Sequence, residues 1–363
     1  MLGVHDMAGS GGRLDWVDMA KGLSIFLVVM MYAASSVGED TGGVGALHWA
    51  IAFATPFRMP EFFLISGLFL SQVIERPWRP YADRRIVHYL YFYVLWALIH
   101  IIFKVGLLAT DPVGALEQIA WAVIQPYGVL WFIYMLAVVG AVTRLLHGLH
   151  APVWAVAGIA AILQMLPIHT GSYLVDQFAE YFVFFYAGYI LAPLLFRLAD
   201  WAADNAALAA VGLSIWAVLN AALVFSPGFA MHPVHPVMGY AGLPGVHLLL
   251  ALAGTAALCM LAALLTGLPF MNWLRWMGSK SLIVYVAFVL PMGVSRTLLI
   301  KLGMDDPTVL SLAIMAIAIV SPLVLYWIVQ RFGYGMFLFE RPAWAHLPGT
   351  AKPSTRIVAT PAE

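Results

Sequence analysis

Residues Lys21–Tyr32 read KGLSIFLVVMMY: one cation, ten residues with no charge, then one phenol. Over eleven residues an α-helix turns almost three full times, so Lys21 and Tyr32 fall on one face, roughly 16 Å apart along the axis. The run is apolar enough for lipid, and the chain around it agrees. It has 363 residues, 63% hydrophobic and 10% charged, with a mean hydropathy of +0.90. Water-soluble domains carry about 25% charged residues, so the composition defines an integral membrane protein. The fold class expected is all-α, a polytopic membrane helix bundle. Formal net charge is +0, which gives no reason to expect nucleic-acid binding. The one cysteine, Cys259, excludes a disulfide framework. The first apolar run contains no small-residue cleavage site and reads as a retained helix.

Ten runs are long enough to be read as spans: 16–37, 46–74, 86–107, 127–146, 152–169, 174–196, 206–226, 241–267, 280–302 and 308–332. Basic residues sort onto one side of this pattern. Arg13, then Arg76, Arg79, Arg84 and Arg85, then Arg144, Arg197, Arg275 and Lys280, then Arg331, Arg341, Lys352 and Arg356 all fall in one set of connections. The other side holds only Lys104 and Lys301. The positive-inside rule then predicts cytoplasmic N- and C-termini and about ten helices, an even number. The expected organisation is a cytoplasmic segment over 1–15, a transmembrane domain over 16–332, and an interfacial strap with a disordered end over 333–363. Thr55-Pro56 and Met59-Pro60 predict a kinked or two-piece second helix.

Ionisable groups inside a membrane are functional candidates. Counting helical rise from the basic side puts Tyr32 roughly 24 Å above Trp16 and Glu61 roughly 21 Å above Glu75. The same count gives roughly 22 Å for His100, 24 Å for Arg296 and 25 Å for Glu180. Five helices thus bring polar groups to one level. Arg58 and Glu61 are three apart and can pair, locking the kink; Glu61 with Arg296 is the alternative. His100 reads as a core histidine or a catalyst. Glu180 with Asp176 either caps a helix end or joins the cluster. Lys21 either snorkels beside Asp18 or heads a functional stripe. His232 and His235 lie three apart in a loop and can bind a metal, but two ligands with prolines between them are a weak signal. The stretch ERPWRPYADRRIVHYLYFY combines four arginines with Trp78 and Tyr81; this suits a nucleotide-bearing donor such as coenzyme A, and equally the contact of basic residues with anionic lipid.

RLDWVDMAKGLSIFLVVMMY, FRMPEFFLISGLFL, DRRIVHYLYFYVLW, GVLWFIYML and GSKSLIVYVAFVLP, in this order, resemble the acyltransferase-3 family of membrane O-acyltransferases over about residues 13–330. The resemblance implies transfer of an acyl group, usually acetyl, from cytoplasmic acyl-coenzyme A to a hydroxyl of a glycan or other envelope molecule. It implies a plasma (inner) membrane location and acyl-coenzyme A as a donor substrate, with no tightly bound cofactor. The family's opening motif is a basic residue, ten residues and a histidine: Lys21 matches the first position and Tyr32 stands at the second. Its Arg-x-x-Arg aligns with Arg85 to His88, and its late Tyr-x-x-His with Tyr285 to Phe288. Trp131 matches a further family position. The candidate catalytic residues are therefore Tyr32, Glu61, Lys21, Arg58 and His100, and the candidate donor-binding residues Arg84, Arg85, His88 and Trp131. Tyr32 is expected to position acyl group or acceptor, with Glu61 or His100 as base. A catalytically inactive relative that binds a donor or a partner, and a transporter or flippase, are the competing readings.

Overall fold

The computed structural model describes residues 14–350, and these form an all-helical bundle. Arg13, Lys352 and Arg356 and the expected disordered end lie outside the described residues. Helix α1 spans Asp15–Thr41. Asp15 and Asp18 occupy its first turn, where acidic groups complement the helix dipole, and Gly42 stops it at φ 66° with its N–H on Gly38 O. α2 (Ala46–Ala54) and α3 (Arg58–Gly67) follow, broken at Thr55-Pro56 as the prolines predict. α4 covers Trp78–Leu108, with π-helical turns at Asp83–Val87 and Ile102–Leu108. Then come α5 (Pro112–Trp121), α6 (Gly128–Gly148), α7 (Val153–Met165), α8 (Tyr173–Asp204), α9 (Ala206–Val224), α10 (Pro244–Thr266) and the short α11 (Asn272–Ser279). α12 (Ser281–Ala287) and α13 (Val289–Lys301) meet at a 52° bend. Pro291 explains it: its ring crowds the carbonyl of Ala287 and it offers no N–H. α14 (Pro307–Phe332) is capped by the Asp306 side chain and ends at Gly333, φ 73°.

All ten predicted runs contain helix, but among the described residues seven helices are long and apolar enough to cross a membrane, or eight if α12 and α13 count as one span. The second run fails because it is two helices of 9 and 10 residues, and the fifth because α7 has 13. α1 is the hub: 67% of its apolar window is buried, against 17% for α9, the least buried of the seven spans. The basic residues of residues 76–85, Arg144, Arg275 and Lys280 gather at one end of the bundle, here the arginine-rich end.

Gly67 and Gly188 permit a close backbone approach of α3 and α8. A Cβ on Gly67 would stand 2.2 Å from Phe185 O, and one on Gly188 would stand 2.1 Å from Leu64 O. The glycine of PEFFLISG therefore serves backbone contact between α3 and α8. Gly67→Ala is expected to destabilise the protein by about 1–3 kcal/mol, the usual cost of overpacking. Thermal unfolding in detergent measures it; an unchanged midpoint would show that α3 and α8 can separate freely.

Residues 333–350 strap across the arginine-rich end. Tyr91 Oη donates to Phe337 O (2.9 Å) and Trp96 Nε1 to Leu338 O (3.0 Å). Arg341 Nη2 meets Asp83 Oδ2 at 2.5 Å, Arg341 Nη1 donates to Asp83 O, His346 Nδ1 lies 3.0 Å from Asp83 Oδ2, and Leu347 N donates to Asp83 Oδ1. Arg341, one of the basic residues that follow the last helix, is thus one half of a buried ion pair.

Candidate functional site

Two cavities enter the bundle from opposite ends. At the arginine-rich end a cavity of about 230 Å³ is lined by Lys21, Arg85 and His88 at its mouth and by Phe62, Phe132 and Tyr285 among its deeper residues. The π-helical turn Asp83–Val87 of α4 carries Arg85 and is followed by His88, and both side chains border this cavity. Lys21, half-buried, stays within 3.9 Å of Asp18. Ser66 also borders the cavity, with its hydroxyl turned to Phe62 O (2.8 Å).

Only part of the predicted donor set meets here. Arg84 is exposed, as are Arg76 and Arg79. Tyr81 is buried, its hydroxyl bonded to Gly140 O (2.6 Å) and its ring, with that of Trp78, under the Arg144 guanidinium. That face is therefore taken by the protein itself. Trp131 lies elsewhere, packed with Phe63, Tyr173 and Tyr181 beside the Tyr32 side chain. The sequence signal for Trp131 was a motif position, and a motif position carries no information on which end of a helix faces the donor.

At the opposite end a cavity of about 310 Å³ is lined by Gln164, His169, Tyr173, Asp176, Glu180 and His247, among others. Asp176 is tied to Thr170 through two 2.8 Å bonds, and His247 Nδ1 lies 2.9 Å from Gln164 Nε2. Glu180 is half-buried beside the Tyr181 side chain. Sequence depth placed Glu180 at the polar level but did not separate it from a helix cap.

Between the cavities lies an aromatic waist. Ring contacts run from Phe62 and Phe132 to Tyr285, from Tyr285 to Phe288, and from Phe288 to Tyr32, at centroid distances of 5.5–6.3 Å. Trp131 then links Tyr32 to Tyr173 of the second cavity. Tyr32 and Phe288, the two positions where the family motifs carry histidine, touch each other, with ring centroids 5.5 Å apart. Arg58 interacts electrostatically with Tyr32 and Tyr181 on the second-cavity side of this waist. Its Nε and Nη1 are buried without a hydrogen-bond partner.

The remaining candidates separate. Glu61 is fully buried and receives the Ser24 hydroxyl at 2.5 Å; Oε2 has no partner. It forms no ion pair with Arg58 or Arg296 within 4 Å among the described residues, and Arg296 instead pairs with Asp40 (2.8 Å). Its bond to Ser24, eight residues before Tyr32, puts it about 12 Å below Tyr32 rather than level with it. The depth count failed because α3 ends at Gly67 and residues 68–76 are turns, which rise less than a helix does. His100 is likewise sealed, against Trp96 and the α12 backbone near Val286. His232 and His235 flank Pro233 and Val234, whose carbonyls bind His48 and Ser35, so that loop latches onto α1 and α2.

The bundle thus combines apolar spans with a basic cavity, an opposed polar cavity and an aromatic waist between them. The acyltransferase-3 model, an acyltransferase domain, matches residues 14–327, and the chain belongs to that family. Neither the curated proteins nor the solved structures give a match.

Proposed function

We propose that the protein moves an acyl group, usually acetyl, from acyl-coenzyme A to a hydroxyl of a glycan or other envelope molecule in the plasma membrane. The carrying observation is the pair of cavities that converge on one waist from opposite ends. On this reading the arginine-rich end is cytoplasmic, in keeping with its charge. The donor's phosphates bind Lys21, Arg85 and His88, and its pantetheine arm directs the thioester past Phe62 and Phe132 towards Tyr32. The acceptor occupies the opposite cavity, where Glu180 takes the proton of the attacking hydroxyl. Amide, imidazole, carboxylate and phenol groups there suit a polyhydroxylated acceptor.

Binding of coenzyme A tests the donor half. Arg85→Ala should weaken it about 10–150-fold, the 1.5–3 kcal/mol of a hydrogen bond to a charged group, while exposed Arg84→Ala and Arg331→Ala change it little. Equal losses at all three would reduce the mouth to general charge. Mass spectrometry of envelope glycans and lipids, with and without the gene, tests the acceptor half: a missing acyl mass names both acyl group and acceptor, and identical spectra oppose the transfer reading.

A further inference from the structure

We propose that Arg58 is the group that stabilises the oxyanion of the acyl-transfer intermediate, a role that rests on the acyl-transfer reading above. A guanidinium buried without an ion-pair partner is costly, and the cost is recovered when a negative charge forms beside it. Arg58 has no carboxylate within 4 Å among the described residues, and two of its nitrogens are buried and unpaired. The residue as a whole is half-buried and lies between the two cavities beside the waist. Its electrostatic neighbours are the phenols of Tyr32 and Tyr181, one at the waist and one beside Glu180. It also opens α3, whose N-cap Phe57 supplies no side-chain bond, so the positive end of the helix dipole adds to the same field.

The charge expected there is transient. The second cavity carries Asp176 and Glu180, which disfavour an acceptor that is anionic from the start. A neutral hydroxyl loses its proton to Glu180 while its oxygen bonds to the thioester carbon, and the carbonyl oxygen takes the negative charge. Arg58 holds that oxygen. The charge then returns to re-form the carbonyl, the C–S bond breaks, and the thiolate of coenzyme A leaves and takes the proton that Glu180 gained, which restores the carboxylate. Arg58 thus sits where charge develops during reaction, which is where preorganised donors give the largest rate effects.

The test is steady-state kinetics of purified protein in detergent, reading free thiol released from acetyl-coenzyme A with methyl β-glucoside or water as acceptor. Arg58→Gln is expected to lower kcat about 10²–10³-fold with little change in KM for acetyl-coenzyme A. Added millimolar guanidinium should restore part of the kcat of Arg58→Ala, saturably, and leave wild type unaffected; a structural role predicts no such rescue. Coenzyme A binding shows whether each variant is folded. Full kcat in Arg58→Gln, or a raised KM with unchanged kcat, overturns the proposal and leaves acyl transfer standing. Absence of thiol release from the wild type with either acceptor defeats the transfer reading and this role with it.

Discussion

Arg341→Ala is expected to destabilise the protein by about 3–5 kcal/mol, the cost of removing one partner of a buried ion pair. The pair leaves almost nothing to solvent, with side-chain exposures of 4% for Arg341 and 2% for Asp83. The carboxylate would keep His346 and the Leu347 N–H and lose its permanent cation. Removing both charges is gentler than removing one, so Asp83→Asn with Arg341→Gln should recover much of the loss. Unfolding in mixed micelles measures both. A loss below about 1 kcal/mol for Arg341→Ala would mean that the pair is hydrated like a surface bridge. The consequence reaches the donor cavity. Asp83 opens the π-helical turn that carries Arg85 and precedes His88, so the strap and the cavity share one anchor. Arg341 lies beyond the family-matched residues 14–327, so this chain supplies that anchor from outside the matched region.

The strap illustrates what the sequence carries and what it hides. Membrane character, helix order, the proline break after Ala54 and the separation of charge between the two ends follow from composition and spacing, because hydropathy and proline act locally. Arg85 and His88 were marked by the arginine-rich stretch and a motif resemblance, and Lys21 by its stripe with Tyr32; that Lys21 borders a cavity with Arg85 and His88, and Tyr32 does not, is visible only in the structure. Partners between helices were not legible. Nothing in residue spacing tells Glu61 to choose Ser24 over Arg58, or Arg296 to choose Asp40 over Glu61. Depth reckoned at a constant rise per residue failed wherever the chain left the helix, and it failed most at residues 68–76. Spacing also leaves Glu180 undistinguished from a helix cap, and only the cavity it borders separates the two.

That distinction sets the last prediction. Glu180 borders a cavity, whereas Glu61 and His100 are sealed in packed surroundings. A general base must reach the proton that it takes, and such a base contributes about 10²–10⁴-fold. Glu180→Gln is therefore expected to lower kcat for transfer from acetyl-coenzyme A by about 10²–10⁴-fold, with coenzyme A binding intact. Glu61→Gln should keep the rate within a few-fold, because the amide can still meet Ser24 and no substrate reaches it. Tyr32→Phe should lose about 0.5–1.5 kcal/mol, one ordinary hydrogen bond, if its hydroxyl only positions the thioester. The paired change Tyr32→His with Phe288→His tests the waist from the other direction. Those rings touch, so a single histidine would meet a phenyl ring, while two restore the residues of the family motifs together. The double variant is expected to match or exceed wild type, whereas either single change should lose activity. The assignment of the base falls if Glu180→Gln keeps full rate while Glu61→Gln abolishes it. In that case the sealed carboxylate must become exposed during turnover, and α1 and α3 must part at Ser24 for the reaction to proceed.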